Sequence, residues 1–448
     1  MFPMYGVGHG SLGMLFGSVW FLLAIGVVAA IAAPAAWASQ GTTLRVSVAA
    51  GGGDTSSNSN WPSASADGRY VTFSSWADNL VPDDANDNSD IFVRDLQTGT
   101  TRLVSVASDG TQANGSSFTP SISADGNVIA FRSDATNLVS NDTEGHIDVF
   151  VHTMSTGRTV RVSQQPSGVG ANRDSIEPSI SADGKVVAFS SLAHNLVPQH
   201  VDATGLCCDI FVSHLATGHI TLGDPMLTGG GASDSFLPVL SANGRYLAFG
   251  SWGCGIAKDI ECLDESNVYE LDLKTDTMSL VSRAYSGKVG FGCGANPAIS
   301  ADGSKVAFIS DGANLVRHDT NGTYDVFLRD MTTGVTERVS VTSKGAQTNG
   351  GLGRVTISGD GRYVVFQSDA WNIVPDDENG VTDIFVHDER TGKTFRASVS
   401  SAGAEANGYS GNATITTGGH LVVFESDASN LAGRDRNLTT DIYGRTIG

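Results

Sequence analysis

The tetrapeptide Ser65-Ala66-Asp67-Gly68 recurs along this chain of 448 residues at an almost constant spacing. The anchoring glycines are separated by 58, 58, 60, 59, 58 and 58 residues, and they are Gly68, Gly126, Gly184, Gly244, Gly303, Gly361 and Gly419. A fixed period of this size, made of short β-type runs, is typical of arrays whose units bury their faces against their neighbours. The sequence therefore predicts seven copies of one small β unit.

One copy contains four strand-like runs separated by turn residues. Residues 61–65, 70–75, 90–96 and 101–106 are the candidate strands, and several of them alternate apolar and polar side chains. Asp67-Gly68 and Thr98-Gly99 have the composition of tight hairpin turns. Four strands in each repeat predict one antiparallel sheet per copy.

The two ends of the repeat region complement each other. The last copy stops after its third strand, within residues 441–448, whereas residues 42–48 resemble a fourth strand that nothing precedes. Pairing these fragments would complete one sheet and leave no open sheet edge at the termini. We therefore predict an all-β fold: a seven-bladed β-propeller of four-stranded antiparallel blades over residues 42–448, with the last blade closed by the N-terminal strand.

The repeat also resembles a known family. The pattern Ser-Ala-Asp-Gly-x-x-Val-Ala-Phe-x-Ser, then Asp-Ile-Phe-Val-x-Asp, then Thr-Gly, is similar to the WD-like propeller repeat of the TolB family, and it covers every copy. The resemblance implies a propeller and, less specifically, an exported binding protein. TolB proteins carry an additional N-terminal α/β domain and six blades, so their partners are not implied for this chain.

The N-terminal segment predicts export. Residues 1–40 contain no Asp, Glu, Lys or Arg, are mostly apolar from residue 14 onward, and include Ala36-Trp37-Ala38. Residues 1–38 are interpreted either as a signal peptide cleaved after Ala38 or as an uncleaved membrane anchor. With either interpretation the repeats are expected in the periplasm, at the cell surface or outside the cell.

The net charge limits the partners. The formal charge of −20 belongs entirely to the residues after position 40. A surface with this much negative charge repels the phosphate backbone of nucleic acids and the anionic headgroups of lipids. This argues against binding to nucleic acid or to a membrane surface. We expect a monomer whose partner is a cell-envelope protein or a glycan.

The long loops between the second and third strands share an acidic pattern that predicts Ca²⁺ sites. Oxygen-bearing side chains at positions one, three and seven resemble the start of a calcium loop, although the twelfth-position Glu of an EF-hand is missing. The alternative interpretation is an Asx turn, in which these side chains accept hydrogen bonds from loop amides. The candidate ligands are Asp84, Asn86 and Asp90; Asp319, Asn321 and Asp325; Asp377, Asn379 and Asp383; and Asp435, Asn437 and Asp441.

The five cysteines fall in the region of the third to fifth copies. In an oxidising compartment a disulfide is expected, and Cys254 with Cys262 would close the loop of the fourth copy. Cys207, Cys208 and Cys293 remain. A soft-metal site that combines Cys207 and Cys208 with nearby residues is the alternative, and those residues are His194, His200 and Asp202.

The fourth copy departs most from the repeat and is the predicted binding patch. Its candidate residues are Trp252, Lys258, Asp259, Glu261 and Asp264. Because the chain has no Gly-x-Ser-x-Gly motif and no hydrolase domain, we expect a non-catalytic propeller that binds on its long-loop rim. The alternatives are a propeller glycoside hydrolase, which should carry one or two carboxylates with perturbed pKa in the central channel, and a calcium-stabilised scaffold.

Overall fold

The computed structural model describes residues 41–143, 145–198, 208–224, 234–252, 265–290, 292–433 and 435–448. Within these ranges, 28 strands form seven four-stranded antiparallel sheets, which are the blades of a β-propeller. The predicted fold class and blade number are confirmed. The predicted leader, residues 1–38, lies outside the described residues. In the described part of the chain, no helix is long and apolar enough to cross a membrane.

Strand β1 (Thr43–Arg45) precedes the first complete blade. Blade one contains β2 (Ser59–Ala64), β3 (Tyr70–Ser75), β4 (Asp90–Asp95) and β5 (Thr100–Leu103). Blade two contains β6 (Ser117–Ile122), β7 (Val128–Ser133), β8 (Asp148–Thr153) and β9 (Arg158–Arg161). Blade three contains β10 (Ser175–Ile180), β11 (Val186–Ser191), β12 (Asp209–His214) and β13 (His219–Leu222).

Blade four contains β14 (Ser235–Leu240), β15 (Tyr246–Ser251), β16 (Asn267–Asp272) and β17 (Thr277–Leu280). Blade five contains β18 (Gly294–Ile299), β19 (Lys305–Ser310), β20 (Asp325–Asp330) and β21 (Thr336–Arg338). Blade six contains β22 (Leu352–Ile357), β23 (Tyr363–Ser368), β24 (Asp383–Asp388) and β25 (Lys393–Arg396). Blade seven contains β26 (Ser410–Ile415), β27 (Leu421–Ser426) and β28 (Asp441–Thr446), and β1 completes it by pairing with β28.

The Ser-Ala-Asp-Gly repeat forms the hairpin between the first two strands of a blade. Ser65 Oγ donates to Asp67 Oδ1 at 2.7 Å and accepts the N–H of Tyr70 at 2.9 Å. Gly68 has φ +69°, a value that L side chains rarely adopt. The same hydrogen bonds recur at Ser123, Ser300 and Ser358, which explains why the tetrapeptide is repeated.

These hairpins also join neighbouring blades around the axis. Ala66 N–H donates to the carbonyl of Ala124 at 3.0 Å, and four equivalent backbone hydrogen bonds follow in the described residues. In blade four the donor is Asn243, one residue later, which donates to Ala301 at 3.2 Å. These hydrogen bonds surround a cavity of about 150 Å³ lined by the ends of all seven inner strands. We call this end of the propeller the short-hairpin rim, and the opposite end, with the loops between second and third strands, the long-loop rim.

The core lies between the sheets. In each blade an aromatic ring on the second strand stacks against one on the third, as Phe73 does with Phe92 at a centroid distance of 6.0 Å. The seven pairs have centroid distances between 5.7 and 6.2 Å. Full burial of one such side chain contributes about 1.5–3 kcal/mol. Seven hydrophobic clusters, each formed by residues of two neighbouring blades, hold the ring together.

Candidate functional site

In blade six, the first and last acidic residues of the predicted calcium loop flank a guanidinium group. Nη1 of Arg396 lies 3.5 Å from Oδ1 of Asp377 and 3.1 Å from Oδ2 of Asp383, and it also contacts Glu405. Asn379 donates through Nδ2 to Asp383 at 2.8 Å, and its Oδ1 accepts a loop N–H at 2.9 Å. The loop therefore contains Asx-turn hydrogen bonds, and an arginine supplies the positive charge.

Blade five repeats this arrangement. Nη1 of Arg338 lies 2.9 Å from Oδ1 of Asp319 and 3.5 Å from Oδ2 of Asp325. Asn321 donates to Asp325 at 2.9 Å. The side chain of Arg338 is mostly buried, as are both carboxylates, so the three groups compensate each other's charge away from bulk water.

Blade one uses a neutral side chain instead. Gln112 donates through Nε2 to Asp84 at 2.7 Å and to Asp90 at 2.9 Å, and Asn86 donates to a backbone carbonyl at 2.8 Å. Burial raises the pKa of Asp90 to about 6, and the hydrogen bonds that it accepts from Ser105 and Gln112 oppose this shift only in part. The predicted ligands meet here as well, around an amide nitrogen.

Blade seven takes its arginine from the N-terminal strand. Nη1 of Arg45 lies 3.4 Å from Oδ2 of the buried Asp441. Asp435 accepts the hydroxyl of Tyr443 at 3.1 Å, and Asn437 donates to a backbone carbonyl at 2.8 Å. Closure of the ring therefore also positions the cation beside this aspartate.

One acidic group in the described residues has the composition of a metal site. Ligand atoms of Asp377, Asp383 and Glu405 lie within 4.8 Å of one another, and burial raises the pKa of Asp377 to about 6. Because Arg396 contacts all three carboxylates, a bound metal ion would have to lie beside its guanidinium group or displace it. Calcium at the twelve predicted ligands stays a prediction.

The predicted patch of blade four is described only in part. Trp252 begins its long loop and is 46% exposed. Lys258, Asp259, Glu261 and Asp264, together with the predicted disulfide between Cys254 and Cys262, lie outside the described residues, as do His200, Asp202 and Cys207. Of the other cysteines, Cys293 is a free thiol. The prediction for this loop stays a prediction.

The central channel holds a set of residues that the sequence analysis did not identify. Each inner strand shifts register against its neighbour near its third residue, which is a β-bulge. Six of the bulge residues have φ between 44° and 57°. The seven positions are Trp61, Thr119, Glu177, Leu237, Asn296, Arg354 and Asn412.

Residues of non-adjacent blades meet in this channel. The guanidinium of Arg354, from blade six, lies 5.3 Å from the ring centroid of Trp61, from blade one. Enclosure by the channel lowers the pKa of Arg354, and the negative charges of Glu425 and Glu177 oppose that shift. Blades seven, one and three therefore each place a group near one arginine.

Glu425 lies in the channel wall with an exposed fraction of 5%. It accepts hydrogen bonds from Asn412 Nδ2 at 2.7 Å and from the bulge N–H of Trp61 at 3.1 Å. Burial raises its pKa, and these hydrogen bonds counteract the shift only in part. Glu425 therefore loses its proton at a higher pH than an exposed glutamate does.

Glu177 is half-buried and differs from Glu425 in its hydrogen bonds. Its Oε2 accepts from Ser190 at 2.9 Å and from the bulge N–H of Leu237 at 2.7 Å. Among the described residues, no hydrogen bond reaches its Oε1. One carboxylate oxygen is thus held in place by two hydrogen bonds, and the other accepts none from the described residues.

Exposed aromatic side chains lie toward the long-loop rim. Trp61 is 37% exposed within the channel, and Trp76, at the start of a long loop, is 46% exposed and packs against Phe118 at 5.9 Å. Trp252 occupies the position of Trp76 in blade four. The same position carries exposed acidic residues in four blades, and these are Asp134, Asp311, Asp369 and Asp427.

A sequence signal for the channel residues does exist. The bulge residue stands seven positions before every anchoring glycine, and the residue that faces it stands six positions after, as Glu177 and Ser190 do around Gly184. Both positions vary in charge and size while the residues around them repeat. Variation at a fixed place in a repeat is the pattern that would have identified Glu177, Arg354 and Glu425.

Comparison with known proteins shows the fold and no family. No protein-family model and no curated protein matches the chain. An oligogalacturonate lyase solved in complex with manganese has a TM-score of 0.55 at 13% identity, covering 92% of this chain and 99% of the lyase. The β-propeller domain of the trilobed protease from Pyrococcus furiosus has a TM-score of 0.53 at 11% identity, covering 87% and 95%. TolB from Acinetobacter baumannii has a TM-score of 0.40 at 16% identity, covering 77% and 66%.

These comparisons correct two predictions. We expected a non-catalytic, TolB-like binding propeller, partly because no hydrolase domain accompanies the repeats. That expectation is wrong: the lyase matches over 99% of its own length, so a propeller of this kind forms an enzyme without a second domain.

Proposed function

We propose that this protein is a glycan-active hydrolase whose reaction takes place in the central channel, near the long-loop rim. The observation that carries the proposal is that Glu425 and Glu177 both lie close enough to Arg354 to act on its charge, in one channel that also exposes Trp61. A pair of carboxylates with different environments is what glycosidic bond hydrolysis requires.

Glu425 is assigned the role of general acid. Burial raises its pKa, so it keeps a proton to a higher pH than an exposed glutamate, and in its protonated form it can donate to the oxygen of the leaving sugar. Glu177 is assigned the second role, as base or nucleophile, because its Oε2 is fixed by two hydrogen bonds while its Oε1 accepts none from the described residues. Arg354 stabilises negative charge on either carboxylate during the reaction.

An uncharged glycan is the proposed substrate class. The protein carries a formal charge of −20, and exposed aspartates begin four of the long loops, so a polyuronide would be repelled at the rim. The tryptophans offer apolar faces with a polar edge, a combination that suits the apolar face of a neutral sugar ring. The manganese and the oligogalacturonate of the structural neighbour are therefore not carried over.

Export is part of the proposal. The uncharged, apolar segment of residues 1–38 supports secretion or anchoring outside the cytoplasm, where polymeric glycans of the cell envelope are found. Calcium bound at the long loops would then stabilise the rim without taking part in the reaction.

The test is a hydrolysis screen with the full chain. Uncharged oligosaccharides of differing linkage and, separately, polygalacturonate are incubated with the wild type and with the double variant E177Q/E425Q, and released reducing ends are measured. We expect turnover of at least one uncharged substrate by the wild type and its loss in the variant. Equal turnover by both proteins, or turnover of polygalacturonate alone, would overturn the proposal.

A further inference from the structure

A second cavity lies between blades one and two, at the short-hairpin rim and away from the central channel. Its volume is about 470 Å³, within the range of small-molecule sites. The apolar part of its wall comes from Tyr70, Val93 and Met154, and the polar part includes Asp95, Arg102 and Asp125. Tyr70 and Met154 are half-buried against the core between these blades.

The cavity follows from one residue of the outermost strand. Arg102 pairs with Val93, whereas the corresponding partner is Val160 in blade two and Phe395 in blade six. Val160 and Phe395 are partly buried and pack against their inter-blade cores. Arg102 is exposed, so the space that Val160 fills in blade two and Phe395 fills in blade six is left open in blade one.

The charges in the cavity favour an anion. Among the described residues, no hydrogen bond or ion pair neutralises Arg102. Asp95 is already neutralised, because Arg69 contacts it at 2.7 Å and hydrogen bonds lower its pKa. Burial lowers the pKa of the neighbouring His152 to about 4, and the charge of Arg102 adds to that effect, so His152 is neutral at physiological pH. One unneutralised guanidinium thus faces the cavity.

The remaining acidic residue limits the charge of a ligand. Asp125 is held in the hairpin of blade two by Ser123 Oγ at 2.6 Å and by the N–H of Asn127 at 2.9 Å. Its carboxylate would repel a dianion more strongly than a monoanion. A planar carboxylate can also take two parallel hydrogen bonds from a guanidinium.

We propose that this cavity binds a small amphipathic monoanion: a carboxylate that pairs with Arg102 and an apolar body that contacts Tyr70, Val93 and Met154. The site is separate from the proposed catalytic channel. Occupancy would replace the apolar packing that Val160 supplies in blade two, so the ligand is expected to raise the melting temperature.

Isothermal titration calorimetry with 4-phenylbutyrate tests the proposal, with inorganic phosphate as the competing anion. The wild type should show saturable binding of 4-phenylbutyrate, and the variants R102V and R102Q should bind at least tenfold more weakly. R158A removes an exposed arginine that does not line the cavity and should bind as the wild type does. R102V alone should also melt at a higher temperature, because valine fills part of the space.

Three results would overturn the proposal. They are equal affinity of wild type and R102V for 4-phenylbutyrate, loss of binding in R158A to the same extent, and tighter binding of phosphate than of the carboxylate. Absence of saturable 4-phenylbutyrate binding to the wild type would contradict the assigned ligand class. Circular dichroism of each variant shows whether it is folded, so that loss of binding is attributed correctly.

Discussion

At the residue scale, the long loops show how a charged side chain can serve the role expected of a metal ion. The side chain of Arg396 is 7% exposed and contacts three carboxylates, two of which are almost fully buried. Removing one member of such a buried group leaves the others uncompensated, which typically costs about 3–5 kcal/mol. The arginine is therefore as important to this loop as its acidic residues.

We expect R396Q to destabilise the propeller by about this amount, and more at pH 8 than at pH 5. The pKa of Asp377 is already about 6, so above that pH the variant contains buried carboxylates that repel each other, whereas below it protonation relieves the repulsion. Denaturant unfolding at the two pH values measures the difference. Added Ca²⁺ should restore more stability to R396Q than to the wild type, since it would meet an unneutralised ligand set.

Arg390 provides the control, because it lies near in sequence and its side chain is exposed. R390Q should unfold as the wild type does. If R396Q lost no more stability than R390Q, the charge compensation assigned to the loop would be wrong.

At the element scale, the hairpin between the first two strands carries both the repeat and the contact between blades. A Cβ on Gly126 would lie 2.2 Å from the ring of Tyr70 in the preceding blade, at φ +74°. Gly157, in the outer hairpin of the same blade, has φ +67°, but a Cβ added there would have no neighbouring atom within 4 Å. A comparison of alanine variants at the two glycines therefore distinguishes the cost of backbone strain from the cost of disturbed packing between blades.

We expect G157A to lose about 1–2 kcal/mol through the left-handed backbone alone. G126A should lose about 1–3 kcal/mol more, because the added methyl displaces Tyr70. Urea unfolding of both variants measures the difference. Equal losses would mean that the inner hairpins do not control blade packing.

The sequence predicted the hairpin between the first two strands of each blade but did not predict the residues of the central channel, and the difference has a physical reason. Ser65, Asp67 and Gly68 form their hydrogen bonds within a few residues of each other, so a local pattern suffices to identify the turn. Glu177, Arg354 and Glu425 come from three separate blades, and only closure of the ring brings them together. The calcium pattern also did not include Arg396 and Glu405, because both belong to later segments than the loop that carries Asp377 and Asp383.

At the scale of the whole molecule, buried carboxylates determine how stability depends on pH. Burial raises the pKa of Asp90 and Asp148 to about 6, and that of Glu270 and Glu389 to about 7. Because the folded state binds these protons more tightly than the unfolded state, their contribution to stability falls as the pH rises through this range. Asp388, whose pKa is lowered to about 2 by Arg362, contributes stability that is lost only in acid.

We therefore expect the melting temperature to be highest near about pH 5 and to decline toward pH 8 and below about pH 4. Calorimetry at constant ionic strength between these values measures the profile. A melting temperature that rose steadily from pH 5 to pH 8 would contradict the raised pKa values of these carboxylates in the folded protein.

The propeller supplies its own control for the central claim, that Glu425 is the acid of a catalytic channel. Gln367 occupies the position of Glu425 in blade six and accepts the next bulge N–H, from Asn412, at 3.0 Å. A glutamine can therefore accept the bulge N–H of Trp61, and E425Q is expected to fold with a melting temperature close to that of the wild type. The substitution removes the transferable proton, and with it the negative charge near Arg354 and the oxygen that accepts from Asn412.

The decisive measurement is the turnover rate of E425Q on an uncharged oligosaccharide that the wild type hydrolyses, at equal melting temperature. General acid catalysis contributes about 10²–10⁴-fold, so a loss of that size is predicted. Turnover within about twofold of the wild type, where acid catalysis predicts a loss of at least 10²-fold, would show that Glu425 only supports the neighbouring blade.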